Sequence, residues 1–362
     1  MSIPGGTASS TGGRLENVAR KIPLVALALT PVVLAAHYLF DAGGTLVFVL
    51  ASLALVPLAW LIGEATENVS EHTGPGVGGF LNASFGNAPE LIIALFAVSD
   101  GLPNVVRGSI TGSVVSTSLL VLGVAIIAGG EGEVDRHSLV LQVGLVLGAV
   151  LVFIVPSVPG WHGDPDRHSL YLLTLPIAAV LFLVYLVTTT YNLRRHAAAE
   201  RPAASADAWS LRTGLAVLCG ATVATALVSE ALVGSLDAFG RALGLSQFFV
   251  AVVIVSLVGN AAEQGGAIVV ARRGNMSLAA EIAVSSPAQI AVFVASTVAL
   301  LSGVVGRGLP LAFRPVELAT MGIAAVVVVF TIADGRSKRS EGFLLVGIYA
   351  LAVVWFALAG DR

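Results

Sequence analysis

Long apolar runs broken by short polar stretches fill this chain from about residue 22 to its end. Crossing roughly 30 Å of hydrocarbon takes about 20 residues, and about eleven runs of that order follow one another. They cover roughly 22–40, 44–67, 76–99, 105–129, 137–157, 169–191, 211–233, 246–271, 278–303, 315–333 and 342–360. None alternates as a membrane barrel strand does, and open sheet edges do not survive in lipid. The pattern therefore predicts an all-α integral membrane protein with about eleven transmembrane helices.

Composition agrees. Hydrophobic residues make up 56% of the 362 and charged residues 11%, where a soluble domain carries about 25% charged residues. The mean hydropathy of +0.91 leaves a lipid bilayer as the main solvent. A net charge of −3 with no long basic run excludes a nucleic-acid partner. The lone Cys219 excludes an intramolecular disulfide, and the scattered histidines form no ligand spacing. Nothing in the sequence specifies an oligomeric state.

Loop charge sets an expected orientation. Arg14, Arg20, Lys21, Arg136, Arg194, Arg195, Arg201, Arg212, Arg272, Arg273, Arg336, Lys338 and Arg339 fall on the side of the N-terminus if the runs alternate. They outnumber those on the other side by about two to one, which places the N-terminus in the cytoplasm and the C-terminus outside it. A cell-membrane, multi-pass protein is expected. Its divisions are a cytoplasmic tail over 1–21, an extra first helix over 22–43, a first repeat over 44–193, a cytoplasmic linker over 194–210 and a second repeat over 211–362.

The repeats rest on polar positions inside the apolar runs. FGNAPELIIALF (85–96) and VGNAAEQGGAIV (258–269) both carry GNxxE, and an offset of 173 residues pairs Gly86 with Gly259, Asn87 with Asn260 and Glu90 with Glu263. The same offset pairs Ser113 with Ser286 and Ser116 with Gln289 in the next run. A five-helix unit used twice inserts in opposite orientations, giving 1 + 5 + 5 with an inverted repeat, a pattern that points to a secondary transporter with a midplane site.

Each carboxylate at a helix centre costs about 2.5–3.5 kcal/mol on insertion scales, so matched copies imply use. Asn and Glu at i and i+3 share a helix face, which continues upstream through Gly79 and Asn82 in the first copy and Ser256 in the second. Pro89 is expected to kink its helix and free carbonyl oxygens near Glu90. Carboxylates, amides, carbonyls and hydroxyls form the hard oxygen set that suits calcium. Two such carboxylates buried together hold protons in the absence of a cation, and a divalent ion expels them, so proton and metal exclude one another. Glu64, Glu67 and Glu230, nearer helix ends, are candidates for the two mouths of an ion or proton path, whereas Glu281 and Glu317 read as anchors. Neither HExxH nor an aspartate-rich magnesium motif occurs, so an enzyme is not expected and no cofactor is called for.

FLNASFGNAPELIIALF and VGNAAEQGGAIVVARRGNMSLAAEIAVSSPAQIAVFV resemble the paired signature repeats of the calcium/proton antiporters, within the calcium/cation exchanger superfamily. LIGEATENVSEHTGPGVGG, VSEALVGSLDAF and IADGRSKRSEG also resemble segments of that family. The resemblance implies that Glu90 and Glu263 carry the cation and exchange it for protons, with Asn87 and Asn260 beside them. It places Gly86, Gly259, Ser113, Ser116, Ser286 and Gln289 around that core. Calcium ions and protons are the implied transported partners, moved by alternating access so that calcium leaves the cytoplasm. Sodium/calcium or monovalent-cation/proton exchange on the same scaffold is the alternative. Three departures bear on selectivity and pH response: Gln264 where the family has His, Thr117 for its usual Asn, and Ser285-Ser286-Pro287 for its glycine-serine-serine.

Overall fold

The computed structural model describes residues 27–40, 42–196 and 209–360, with the side chains at 74–79, 82–83 and 192–196 outside that description. The expected tail over 1–21, most of the 194–210 linker and the side chains of Gly79 and Asn82 therefore lie outside the described residues. The described residues are helical nearly throughout, because a helix satisfies its own backbone donors and acceptors where lipid offers none. Its elements are α1 Leu29–Tyr38, α2 Gly44–Phe85, α3 Ala88–Ser99, α4 Pro103–Gly129, β1 Gly132–Glu133, α5 Arg136–Gly160, α6 His168–His196 and α7 Leu211–Leu243. The rest are α8 Gln247–Gly259, α9 Ala261–Arg272, α10 Met276–Val305, α11 Pro315–Thr331, β2 Arg336–Ser337 and α12 Arg339–Ala359.

Among the described residues, 7 helices are long and apolar enough to cross a membrane, or 8 with the α8–α9 pair counted as one span bent by 57°. The helices α1, α3 and α11 are apolar but shorter. The interruption expected between 67 and 76 is helical, since α2 runs unbroken from Gly44 to Phe85. A straight helix would separate Ala65 from Phe85 by about 30 Å. Yet Phe85 and Ala88 share one small apolar cluster with Ile62 and Ala65, so the helical path turns back between them.

Helix α2, from Gly44 to Val69, packs antiparallel on α7. Gly44 lies against Ala238 at one end, and Gly214 against Val69 at the other. Helix α4 is the central span, with 83% of its apolar window buried. Gly108 and Gly112 let it cross α8 so closely that a methyl group on Gly112 would collide with the Val252 carbonyl.

Loops expected on the same side meet one another. At one end, β1 pairs antiparallel with β2, Gly132 opposite Ser337 and Glu133 opposite Arg336. The Trp209 N–H donates to Asn68 Oδ1 at 2.8 Å. At the other end, the Arg107 guanidinium donates to Asp166 at 2.7 Å and to the Pro310 carbonyl at 3.3 Å. The β1–β2 clip departs from an all-helical reading, and two-residue strands are too short to leave a period in the sequence. Arg107 lies in the first turns of α4 and is only 1% exposed. Asp166 compensates its burial.

Candidate functional site

Both GNxxE motifs fall at helix breaks. Asn87 separates α2 from α3 with φ −97° and ψ 14°, and Asn260 separates α8 from α9 with φ −90° and ψ 4°. These values lie in the sparsely allowed bridge region, which short polar side chains tolerate well. The expected role of Pro89 needs correction. It occupies the first turn of α3, where its missing N–H costs nothing, and the second copy breaks equally with Ala262 in its place. The carbonyls at the breaks themselves are engaged, Asn87 O accepting from Leu91 N at 3.1 Å and Asn260 O from Gln264 N at 2.9 Å.

The breaks put Glu90 and Glu263 in the first turns of α3 and α9. Each carboxylate thus sits at the electropositive end of a helix. The two are close enough to interact electrostatically. Gly259 explains part of the approach, because a Cβ there would stand 3.1 Å from Glu90 Oε1. Gly86, half-buried, ends the first segment just before its break.

Each asparagine reaches the helix that follows the other motif. Asn87 Nδ2 donates to Gln289 Oε1 of α10 at 2.7 Å. Asn260 Nδ2 donates to Ser113 Oγ of α4 at 2.7 Å and to the Ser256 carbonyl at 2.9 Å, while Ser286 Oγ donates to Asn260 Oδ1 at 3.5 Å. Ser116 is fully buried, with its hydroxyl 3.5 Å from the Ser113 carbonyl. The structure therefore ties Asn260, Ser113, Ser256 and Ser286 into one hydrogen-bonded network, pairs Asn87 with Gln289 and lays Glu90 against Gly259, with Ser116 one turn along α4 from Ser113.

Three π-helical segments frame this network, and hydropathy gave no sign of them. They are Ser116–Val121 in α4, Val250–Val255 in α8 and Ile290–Val294 in α10. The 173-residue offset that pairs the motifs carries the first onto the third to within one residue. Such bulges collect at functional sites. The signal open to a sequence reading was the recurrence of Ser113 and Ser116 as Ser286 and Gln289.

Among the described residues, Glu90 Oε2 and Glu263 Oε2 are buried oxygens without a hydrogen-bond partner. Two buried acceptors of this kind, with hydroxyls and amides nearby, suit a hard cation. No group of three or more His, Cys, Asp or Glu side chains occurs among the described residues, so a cation here relies on two carboxylates plus neutral oxygens. Glu64 and Glu67 lie on α2 within a turn of Asn68, half-buried and exposed respectively. Glu230, exposed in the middle part of α7, accepts from the Tyr38 hydroxyl of α1 at 2.9 Å. Glu281 accepts from Ser138 at 2.8 Å and from Gln142, and Glu317 caps the first turn of α11, as anchors do.

Paired carboxylates at broken helices inside a membrane bundle define an ion-exchange type of secondary transporter. The model of the sodium/calcium exchanger protein family matches residues 43–194 and 213–358, and the chain belongs to that family. It is 34% identical to the Ca2+/H+ antiporter of Synechocystis over 93% of this chain and 97% of that one. It is 35% identical to the Ca2+/H+ antiporter ChaA of Bacillus subtilis over 86% and 92%. Among solved structures, native YfkE superposes with a TM-score of 0.80 at 31% identity, covering 93% of this chain and 99% of that one. The H+/Ca2+ exchanger CAX shares the fold, with a TM-score of 0.70 at 18% identity over 94% and 92% of the two chains.

Proposed function

We propose that this protein exchanges Ca2+ for H+ across a cell membrane by alternating access, carrying calcium out of the cytoplasm. The carrying observation is that Glu90 and Glu263, within electrostatic reach of one another, each follow an asparagine break and each keep a buried oxygen lacking a hydrogen bond. Kinship with antiporters whose names specify Ca2+ and H+ supports the choice of ions. In this reading the seven long spans, the bent α8–α9 span, α1, α11 and the span ending in α3 make about eleven passes. They are arranged 1 + 5 + 5 in opposite orientations, with a cytoplasmic N-terminus and an extracytoplasmic C-terminus.

The exchange follows from electrostatics. Glu90 and Glu263 without a cation retain protons, because two bare carboxylates repel each other and have lost water. A calcium ion arriving from the cytoplasm binds the ionised pair, and the released protons leave on that side. Asn87 and Asn260 anchor the broken ends to α10 and α4, so the carboxylates keep their positions while surrounding helices shift. Protons entering from the other face neutralise the pair and release the ion.

Counter-transport in proteoliposomes under an imposed pH gradient tests the reading, with calcium, manganese, sodium and potassium offered in turn. Calcium should dissipate the gradient in wild-type protein, and Glu90→Gln and Glu263→Gln should each abolish the response. Retained exchange in both variants would sink the mechanism, and dissipation by sodium without calcium would assign the scaffold to monovalent exchange.

A further inference from the structure

Between Val105 and Leu119 every residue of α4 is buried except Ser109. Ser109 lines the same cleft as Glu90, walled by Ile93 of α3, Ile110 of α4, Val255 of α8 and Ile290 of α10. It lies under two helical turns from Pro103, at the end of α4 where Arg107 binds Asp166. The opposite end of α4 leads to Glu131 and the β1–β2 clip.

We infer that Ser109 lines the passage by which Glu90 exchanges its cation with the extracytoplasmic side, an inference that rests on the exchange function proposed above. A cation leaving a carboxylate along an apolar wall needs an oxygen to replace part of its lost coordination before water reaches it. Ser109 and Ser113 stand four residues apart on one face of α4, and both line the cleft, as does Ser256 across it. Ser113 is engaged by Asn260, whereas the Ser109 hydroxyl makes only a local bond to the Val106 carbonyl at 3.0 Å, which an arriving ion can replace. Ser109 is thus a positioning residue of the exit path, one turn beyond the network that holds the carboxylates.

Cysteine accessibility in reconstituted full-length protein tests this. In a Cys219→Ser background, Ser109→Cys is exposed to a membrane-impermeant methanethiosulfonate, with Glu131→Cys reporting the opposite face. Labelling is read by mass. Ser109→Cys should react only from the face that leaves Glu131→Cys untouched, saturating calcium should slow the reaction at least tenfold, and labelled protein should lose at least tenfold of its own unlabelled exchange rate. Ile93→Cys, on the facing wall, should behave likewise and serves if Ser109→Cys fails to insert. Labelling from the Glu131 face, or full labelling with exchange unchanged, overturns the inference. The sidedness is read without transport, so wild-type protein that moves no calcium would overturn the exchange reading while leaving the sidedness result to decide the passage.

Discussion

A single methyl group on Gly259 would crowd the Glu90 carboxylate. The Cβ of Gly259→Ala would stand 3.1 Å from Glu90 Oε1, tighter than ordinary contact, so the carboxylate must shift away from α8. The helix itself tolerates alanine better than glycine. Apparent calcium affinity should therefore fall about tenfold, equivalent to about 1.4 kcal/mol, while thermal stability is kept. Calorimetric titration beside a melting curve checks this, and unchanged affinity would mean that Glu90 does not bind in the observed rotamer. At this scale the sequence was informative, because a carboxylate among apolar residues is conspicuous and its recurrence at one offset is unambiguous. Arg107 was not legible: its burial depends on Asp166, which is distant in sequence and reaches it only through the fold.

Helix breaks belong to a larger scale, and there the sequence pointed to the right place for the wrong reason. Pro89 suggested a proline kink, but the matching break at Asn260 has no proline, so asparagine in the bridge conformation sets both. Pro89→Ala should leave exchange in place and change stability by less than about 1 kcal/mol. Asn260→Ala, by contrast, removes the link to Ser113 and should cost at least tenfold in calcium affinity. Flux assays on the two variants decide between the explanations, since loss of exchange in Pro89→Ala alone would restore the proline. The π segments escaped the sequence because one extra residue per turn barely alters an unbroken apolar run. The α4–α8 crossing was equally hidden, as a glycine in an apolar run does not reveal its neighbour. Gly112→Val should destabilise the protein by about 1–3 kcal/mol or more through collision with the Val252 carbonyl, measured as loss of folded protein on heating in detergent.

Across the whole molecule, the bundle brings two titrating groups from distant parts of the chain into one electrostatic unit, and this fixes the sign of its pH response. Under the proposed exchange, protons and calcium compete for Glu90 and Glu263, so acid favours the proton-loaded form and apparent calcium affinity must rise with pH. If both carboxylates surrender a proton to each bound ion, the apparent dissociation constant falls by about two decades per pH unit in the acid range; with one, it falls by about one. It levels off once both groups are ionised without metal. Titration calorimetry over a pH series, repeated in buffers of different ionisation enthalpy, counts the released protons directly. Wild-type protein should approach two, and Glu90→Gln, with one titrating carboxylate left beside a neutral amide, should release no more than one with whatever binding it retains. Calcium binding independent of pH would separate the metal from the proton and remove the basis for exchange, whatever the two carboxylates hold.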